Sequence, residues 1–113
     1  MSDETRNIVL VGVGGQGILL ASEIVAQSAM NAGFRVKTNE THGMAQRGGS
    51  VSAFIRYGKE VFAPVVAEGQ AHVLGSFEQM EALRFAHYLN PKGLAVVSTQ
   101  VLVPVTVSSG KAS

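Results

Sequence analysis

Cysteine is absent from the 113 residues. No disulfide can form, and iron–sulfur clusters, which are held by cysteine thiolates, find no ordinary ligand set here. The three histidines, His42, His72 and His87, are scattered without the spacing a metal site uses. A redox metal is therefore expected on another chain. Charge is also scarce. Charged residues make up 15% of the chain, against ~25% for soluble domains. That deficit suits a chain that buries surface against a partner, or one with a tightly packed α/β core. The net charge is +1 with no basic block, so the electrostatic footprint of a nucleic-acid binder is missing. No apolar run approaches the ~20 residues of a membrane span. The opening Met1-Ser-Asp-Glu-Thr-Arg6 is polar and mixed in charge, unlike the basic and then apolar order of a secretory signal. A cytoplasmic location is expected.

What is present points to one α/β domain over residues 1–113, with a polar tail at about 108–113. Hydrophobic residues reach 46%, enough for a packed core at a length that suits a single small domain. Asn7 to Val13 reads as a strand, and its continuous Ile8-Val9-Leu10-Val11 run needs cover on both faces. A helix is expected from the glycine cluster to about Asn31, with Ala21, Ile24, Val25 and Ser28 as its buried stripe and Gly33 ending it. Phe34 to Thr38 alternates as a second strand, which completes a βαβ unit. Asn39 to Gly49 reads as a loop. Ser50 to Tyr57 is a further strand, with a return over Glu60 to Ala63 ending at Pro64. Ala71 to Gly75 is another strand. Ser76 and Gln79 have capping-box spacing for a helix running to about Leu89, stopped by Asn90-Pro91-Lys92-Gly93. Leu94 to Ser98 and Val101 to Val107 are the last expected strands. The sum is a Rossmann-like, mostly parallel sheet with flanking helices.

Two stretches carry the chemistry. The first is Gly12-x-Gly14-x-x-Gly17 between strand and helix. Glycine admits positive φ and close approach of a ligand to the backbone. The helix N-terminus presents unpaired amides and about half a positive charge. Together these suit a phosphate or pyrophosphate, so Gly12, Gly14, Gly15, Gln16 and Gly17 are candidate ligand contacts, with Gly14 and Gly17 expected not to tolerate a Cβ. A tight turn with no ligand remains the alternative. A dinucleotide site should also carry an acidic residue about 20 positions on, but Lys37 stands there and Glu40 is the nearest acid.

The second stretch is Asn39 to Ser50, where one His, one Gln, one Arg, two hydroxyls and three glycines fall within twelve residues. Arg47 can fork onto a carboxylate or phosphate, and His42 can donate a hydrogen bond or carry a proton. Thr41, His42, Gln46, Arg47, Gly48 and Gly49 are the candidates here. No complete catalytic set can be named among them.

Gly12-Val-Gly-Gly-Gln-Gly17, then Thr41-His-Gly-Met-Ala-Gln-Arg-Gly-Gly-Ser-Val51 and Arg56-Tyr-Gly58, resemble the gamma subunit or domain of 2-oxoacid:ferredoxin oxidoreductases, and the unbroken central run is most similar to the indolepyruvate type. Phe77-Glu78, Glu81-Ala-Leu-Arg84 and Leu89-Asn-Pro-Lys-Gly93 extend the likeness, which spans residue 8 to about 98. The family domain normally continues further, so the sheet is expected to be truncated at its C-terminal side. The resemblance implies a subunit that is inactive alone. Its larger partner would hold thiamine diphosphate and the iron–sulfur clusters, coenzyme A would be co-substrate, and electrons would leave to ferredoxin through the complex. The products would be acyl-CoA, CO2 and reduced ferredoxin. A stand-alone dinucleotide- or nucleotide-binding Rossmann module is the other reading.

Overall fold

The structure, a computed structural model, describes residues 5–14, 17–42 and 49–98. The aliphatic run forms β1 (Arg6–Val13), which takes the centre of a five-stranded sheet. Around it stand β2 (Arg35–His42), β3 (Ser50–Gly58), β4 (Ala71–Ser76) and β5 (Leu89–Val97), in the order β2-β3-β1-β4-β5. β1 pairs parallel with β4, and β4 with β5, while β3 runs antiparallel to both β1 and β2. β3 alone therefore opposes the common direction, and the expected mostly parallel α/β sheet is what forms.

The two faces of β1 explain the helices. Ile8 and Leu10 pack with Ile18, Ala21 and Val25 of α1 (Ile18–Asn31). Val9 and Val11 point the other way and share a cluster with Phe85 at the end of α2 (Gln79–Phe85) and with Tyr88 in the 3-10 turn Ala86–Tyr88. Period-two alternation on a central strand thus demands one helix per face. Val9, Val11, Ile55 and Leu74 are fully buried, and each such side chain contributes about 1.5–3 kcal/mol by leaving water. α1 ends in a Schellman motif on Gly33 at φ 95: the Gly33 amide donates to Met30 O and the Phe34 amide to Ala29 O.

Several sequence expectations are corrected. The βαβ unit is split, because β3 lies between β1 and β2. α1 buries Ile18, Ser22 and Ala29, with Ala21 and Val25 half-buried and Ile24 and Ser28 exposed; a small polar residue such as Ser22 at an inward position is not marked by hydrophobicity alone. Asn39 to His42 are not loop but the end of β2, whose polar residues are those of an exposed edge strand. Residues 60–63 form no strand; instead the Arg56 guanidinium donates to Ala63 O at 3.0 Å. The capping box does not form. Glu78 is the N-cap of α2, its carboxylate accepting from the Glu81 amide at 2.9 Å, and Ser76 bonds Glu78 backbone instead. The helix ends at Phe85, and Asn90 to Gly93 belong to β5 as a register shift against β4. Pro91, which lacks an amide, is tolerated at such an irregularity. The expected strand over Val101 to Val107 and the tail lie outside the described residues.

Candidate functional site

In open α/β sheets, ligands sit beyond the carboxyl ends of the strands, where successive connections leave for opposite faces. Here that point lies between β1 and β4. The connection from β1 leads into α1 on one face, and that from β4 into α2 on the other. The end of the glycine-bearing strand and the last residues of the polar stretch, Gly49 and Ser50, lie side by side next to it.

β1 ends with Gly12 opposite Val51 and Val13 opposite Ser50. The next residue, Gly14, donates its amide to Gly49 O at 2.8 Å. The glycine loop and the end of the polar stretch are therefore joined by backbone. A Cβ on Gly14 would lie 3.6 Å from that same carbonyl and 4.0 Å from a Val51 methyl, which is ordinary contact. The expectation that Gly14 refuses a Cβ is corrected to that extent: the described fold leaves room. Gly17 is different. It is the N-cap of α1 with φ 82 and ψ 18, and its carbonyl accepts from the Ala21 amide at 2.9 Å. That left-handed conformation favours glycine. A glycine cap has no side chain to bond the helix amides, and the first turn of α1 carries no acidic residue. The positive end of a fourteen-residue helix is thus directed at the crevice without a carboxylate from its own first turn.

Thr41 lies in β2 opposite Ser52, and His42 is the last β2 residue, opposite Val51. Gly15, Gln16, Gln46, Arg47 and Gly48 lie outside the described residues.

Three residues that sequence reasoning did not select as site residues, Ser76, Glu78 and Glu81, stand beside the crevice. Ser76 ends β4, and its hydroxyl donates to Glu78 O at 2.6 Å. Glu78 caps α2. Glu81, buried in the first turn of α2, accepts a 2.6 Å bond from the Ser50 hydroxyl and faces the Arg84 guanidinium at 3.3 Å. The available signal was an acidic pair directly after an apolar strand, at the position where a helix begins. Among the described residues no group of three His, Cys, Asp or Glu side chains is placed to hold a metal. A depression of about 590 Å³ between Arg6, Tyr57, His72, Lys92 and Leu94 is at the amino ends of β1 and β4, away from the glycine loop.

The profile of the pyruvate ferredoxin/flavodoxin oxidoreductase family matches residues 7–112. Among curated proteins, the chain is 48% identical over 107 residues to indolepyruvate oxidoreductase subunit IorB of Thermococcus kodakarensis, covering 95% of this chain and 53% of that protein. Among solved structures it is similar to the pyruvate oxidoreductase subunit PORC of Thermotoga maritima, with a TM-score of 0.70 and 27% identity over 85% of this chain and 51% of the other. It also shares the fold of part of the 2-oxoglutarate:ferredoxin oxidoreductase of Magnetococcus marinus, solved with 2-oxoglutarate, coenzyme A and succinyl-CoA bound. That likeness has a TM-score of 0.71 at 20% identity and covers 86% of this chain and 17% of the other. The chain spans about half the length of the curated relatives it matches.

Proposed function

From the premise that the chain belongs to the pyruvate ferredoxin/flavodoxin oxidoreductase family, we propose that it is the gamma-type subunit of an indolepyruvate-type 2-oxoacid:ferredoxin oxidoreductase and acts in a cytoplasmic complex with a larger partner. The observation that carries this reading is the 48% identity to an indolepyruvate oxidoreductase subunit over 95% of the chain. With zero cysteines, this chain's own donor set does not fit an iron–sulfur cluster, so that group is assigned to the partner, as is thiamine diphosphate. There the two supply decarboxylation of the 2-oxoacid and passage of electrons to ferredoxin, leaving acyl-CoA and CO2.

The part proposed for this chain is to bind and orient coenzyme A. The α1 N-terminus and the backbone of Gly12, Gly14, Gly15, Gln16 and Gly17 meet a phosphate of that co-substrate. Thr41, His42, Gln46, Arg47, Gly48 and Gly49 are the further contacts proposed for it, Arg47 as the charged fork and His42 as a hydrogen-bond donor. The Gly14–Gly49 bond supports this by making the two stretches one wall, and the coenzyme A complex of a protein of the same fold is consistent with it. The dinucleotide alternative is disfavoured by topology. Its acidic residue should stand on the strand beside β1, yet β3 occupies that place, which moves β2 two strand spacings, about 9–10 Å, from β1.

The test is reconstitution with the larger subunit, reading 2-oxoacid-dependent reduction of ferredoxin with and without coenzyme A. Activity is expected only when both chains and coenzyme A are present. Turnover by this chain alone, or full activity of the partner without it, overturns the assignment. Tight NADH binding to the isolated chain would favour the dinucleotide reading instead.

A further inference from the structure

α2 packs Phe85 against the core but gives another inward position to a carboxylate. It buries Glu81, 7% exposed, while Leu83 is 73% and Met80 60% exposed. Removing a carboxylate from water is costly unless it is paired and hydrogen-bonded, so a leucine would serve packing better at an inward position. Such local violations mark sites where function outweighs stability. The inward carboxylate has a definite target. Its Oε1 accepts a 2.6 Å bond from the Ser50 hydroxyl, and Arg84 faces both oxygens at 3.3 and 3.5 Å. Ser50 follows Gly49, whose carbonyl accepts the Gly14 amide at 2.8 Å. Glu81 itself is fixed by its neighbour, because the Glu78 carboxylate accepts the Glu81 amide, and the Ser76 hydroxyl at the end of β4 holds Glu78 O.

We propose that Glu81 is a positioning residue: through Ser50 its buried carboxylate holds the start of β3 so that the Gly49 carbonyl keeps the Gly14 amide, and with it the end of β1, in place beside the ligand crevice. A short charge-assisted hydrogen bond is among the stronger and more directional contacts available. It links the helix on one face of the sheet to the loop that begins the helix on the other face. Glu81 touches no ligand. It sets the distance between the two stretches that do. The proposal rests on the reading of the crevice as a coenzyme A site, and the test separates the two.

The variants are Glu81→Ala, Ser50→Ala, the double variant and Glu81→Gln. Two readouts are taken: hydrogen exchange at the Gly14 amide in this chain, and kcat and KM for coenzyme A in the complex with the larger subunit. Either alanine variant should speed Gly14 exchange and raise KM for coenzyme A on the order of tenfold, the loss of one hydrogen bond to a charged group, with kcat moved less. The double variant should be no worse than the single ones, since both break the same contact. Glu81→Gln keeps an oxygen for Ser50 without the charge and should fall between the parent and Glu81→Ala. Faster Gly14 exchange in the alanine variants, together with a complex that ignores coenzyme A, would sink the site reading and leave the anchor standing. Unchanged Gly14 exchange in Glu81→Ala overturns the anchor. So does a Ser50→Ala variant that behaves as the parent while Glu81→Ala fails, because Glu81 would then serve α2 alone.

Discussion

Alanine at Gly17 and alanine at Gly14 should have opposite signatures. At Gly17 the backbone sits at φ 82, and a Cβ would meet nothing within 4 Å. The cost is therefore conformational and not steric. A non-glycine residue in the left-handed region costs about 1–2 kcal/mol. Restricting the unfolded chain returns about 0.4–1 kcal/mol, which leaves a net loss near 1 kcal/mol. For a domain of this size that lowers Tm by about 4–8 °C. Gly14 has no positive φ, and its Cβ would make only ordinary contacts with Gly49 O and Val51. Gly14→Ala should therefore hold Tm or raise it by the unfolded-state gain of about 0.4–1 kcal/mol. Thermal unfolding followed by circular dichroism measures both. In the assembled enzyme the order should reverse: because the fold does not need Gly14 bare, any loss of coenzyme A affinity in Gly14→Ala reports close approach by the ligand. A Gly14→Ala variant that loses as much Tm as Gly17→Ala would refute the steric reasoning. One neutral in both assays would leave the middle glycine of the pattern with no role.

Ser22 is 1% exposed, and its hydroxyl has no hydrogen-bond partner. Ser22→Ala should stabilise the chain by about 1 kcal/mol by deleting that buried group at a position where alanine is also the better helix former; a fall in the denaturant midpoint would show that the hydroxyl is bonded. Asn7 donates its Nδ2 to Gln70 O and accepts from Arg56 Nε at 2.9 Å each. Asn7→Ala leaves both partners unsatisfied and should cost about 2–3 kcal/mol, read in the same denaturation assay, where an unshifted midpoint would mean water reaches them. Arg47→Ala should cut turnover of the assembled enzyme on the order of 100-fold, the penalty of a misplaced reacting group, without blocking assembly in size-exclusion chromatography. Lost assembly would move Arg47 from ligand to partner contact.

The legible parts of the sequence were those with one dominant local cause. Ile8 to Val11 could only be a strand covered on both faces, and Gly33 could only end a helix. The misreadings share a different cause: tertiary pairing overrode local pattern. Asn39 to Thr41 look like loop because they are polar, yet β3 supplies their hydrogen bonds, and an edge strand tolerates side chains that face water. Ser76 and Gln79 have the spacing of a capping box, but the end of β4 claims Ser76, and Glu78 caps in its place. Insertion of β3 between β1 and β2 leaves no trace in either strand's periodicity, since both neighbours of β1 present similar apolar partners. The glycine loop was legible as a turn into a helix. Its bond to Gly49, 35 positions on, was not.

The low charge content also has a place in the fold. The apolar part of the described interior is valine, leucine, isoleucine and alanine in two clusters, one on each face of the sheet. The deficit falls on the outside. Leu20 and Ile24 on α1, Met80 and Leu83 on α2, and Leu94 and Val96 on β5 are all more than half exposed. Scattered single apolar residues need no explanation, but these occur one turn apart on α1, three residues apart on α2 and two apart on β5, so each pair shares one face of its element. A chain that met only water would place charge at such positions. One that completes its surface against other polypeptide would not, and the proposed assembly with a larger subunit gives these faces a use that the isolated chain does not.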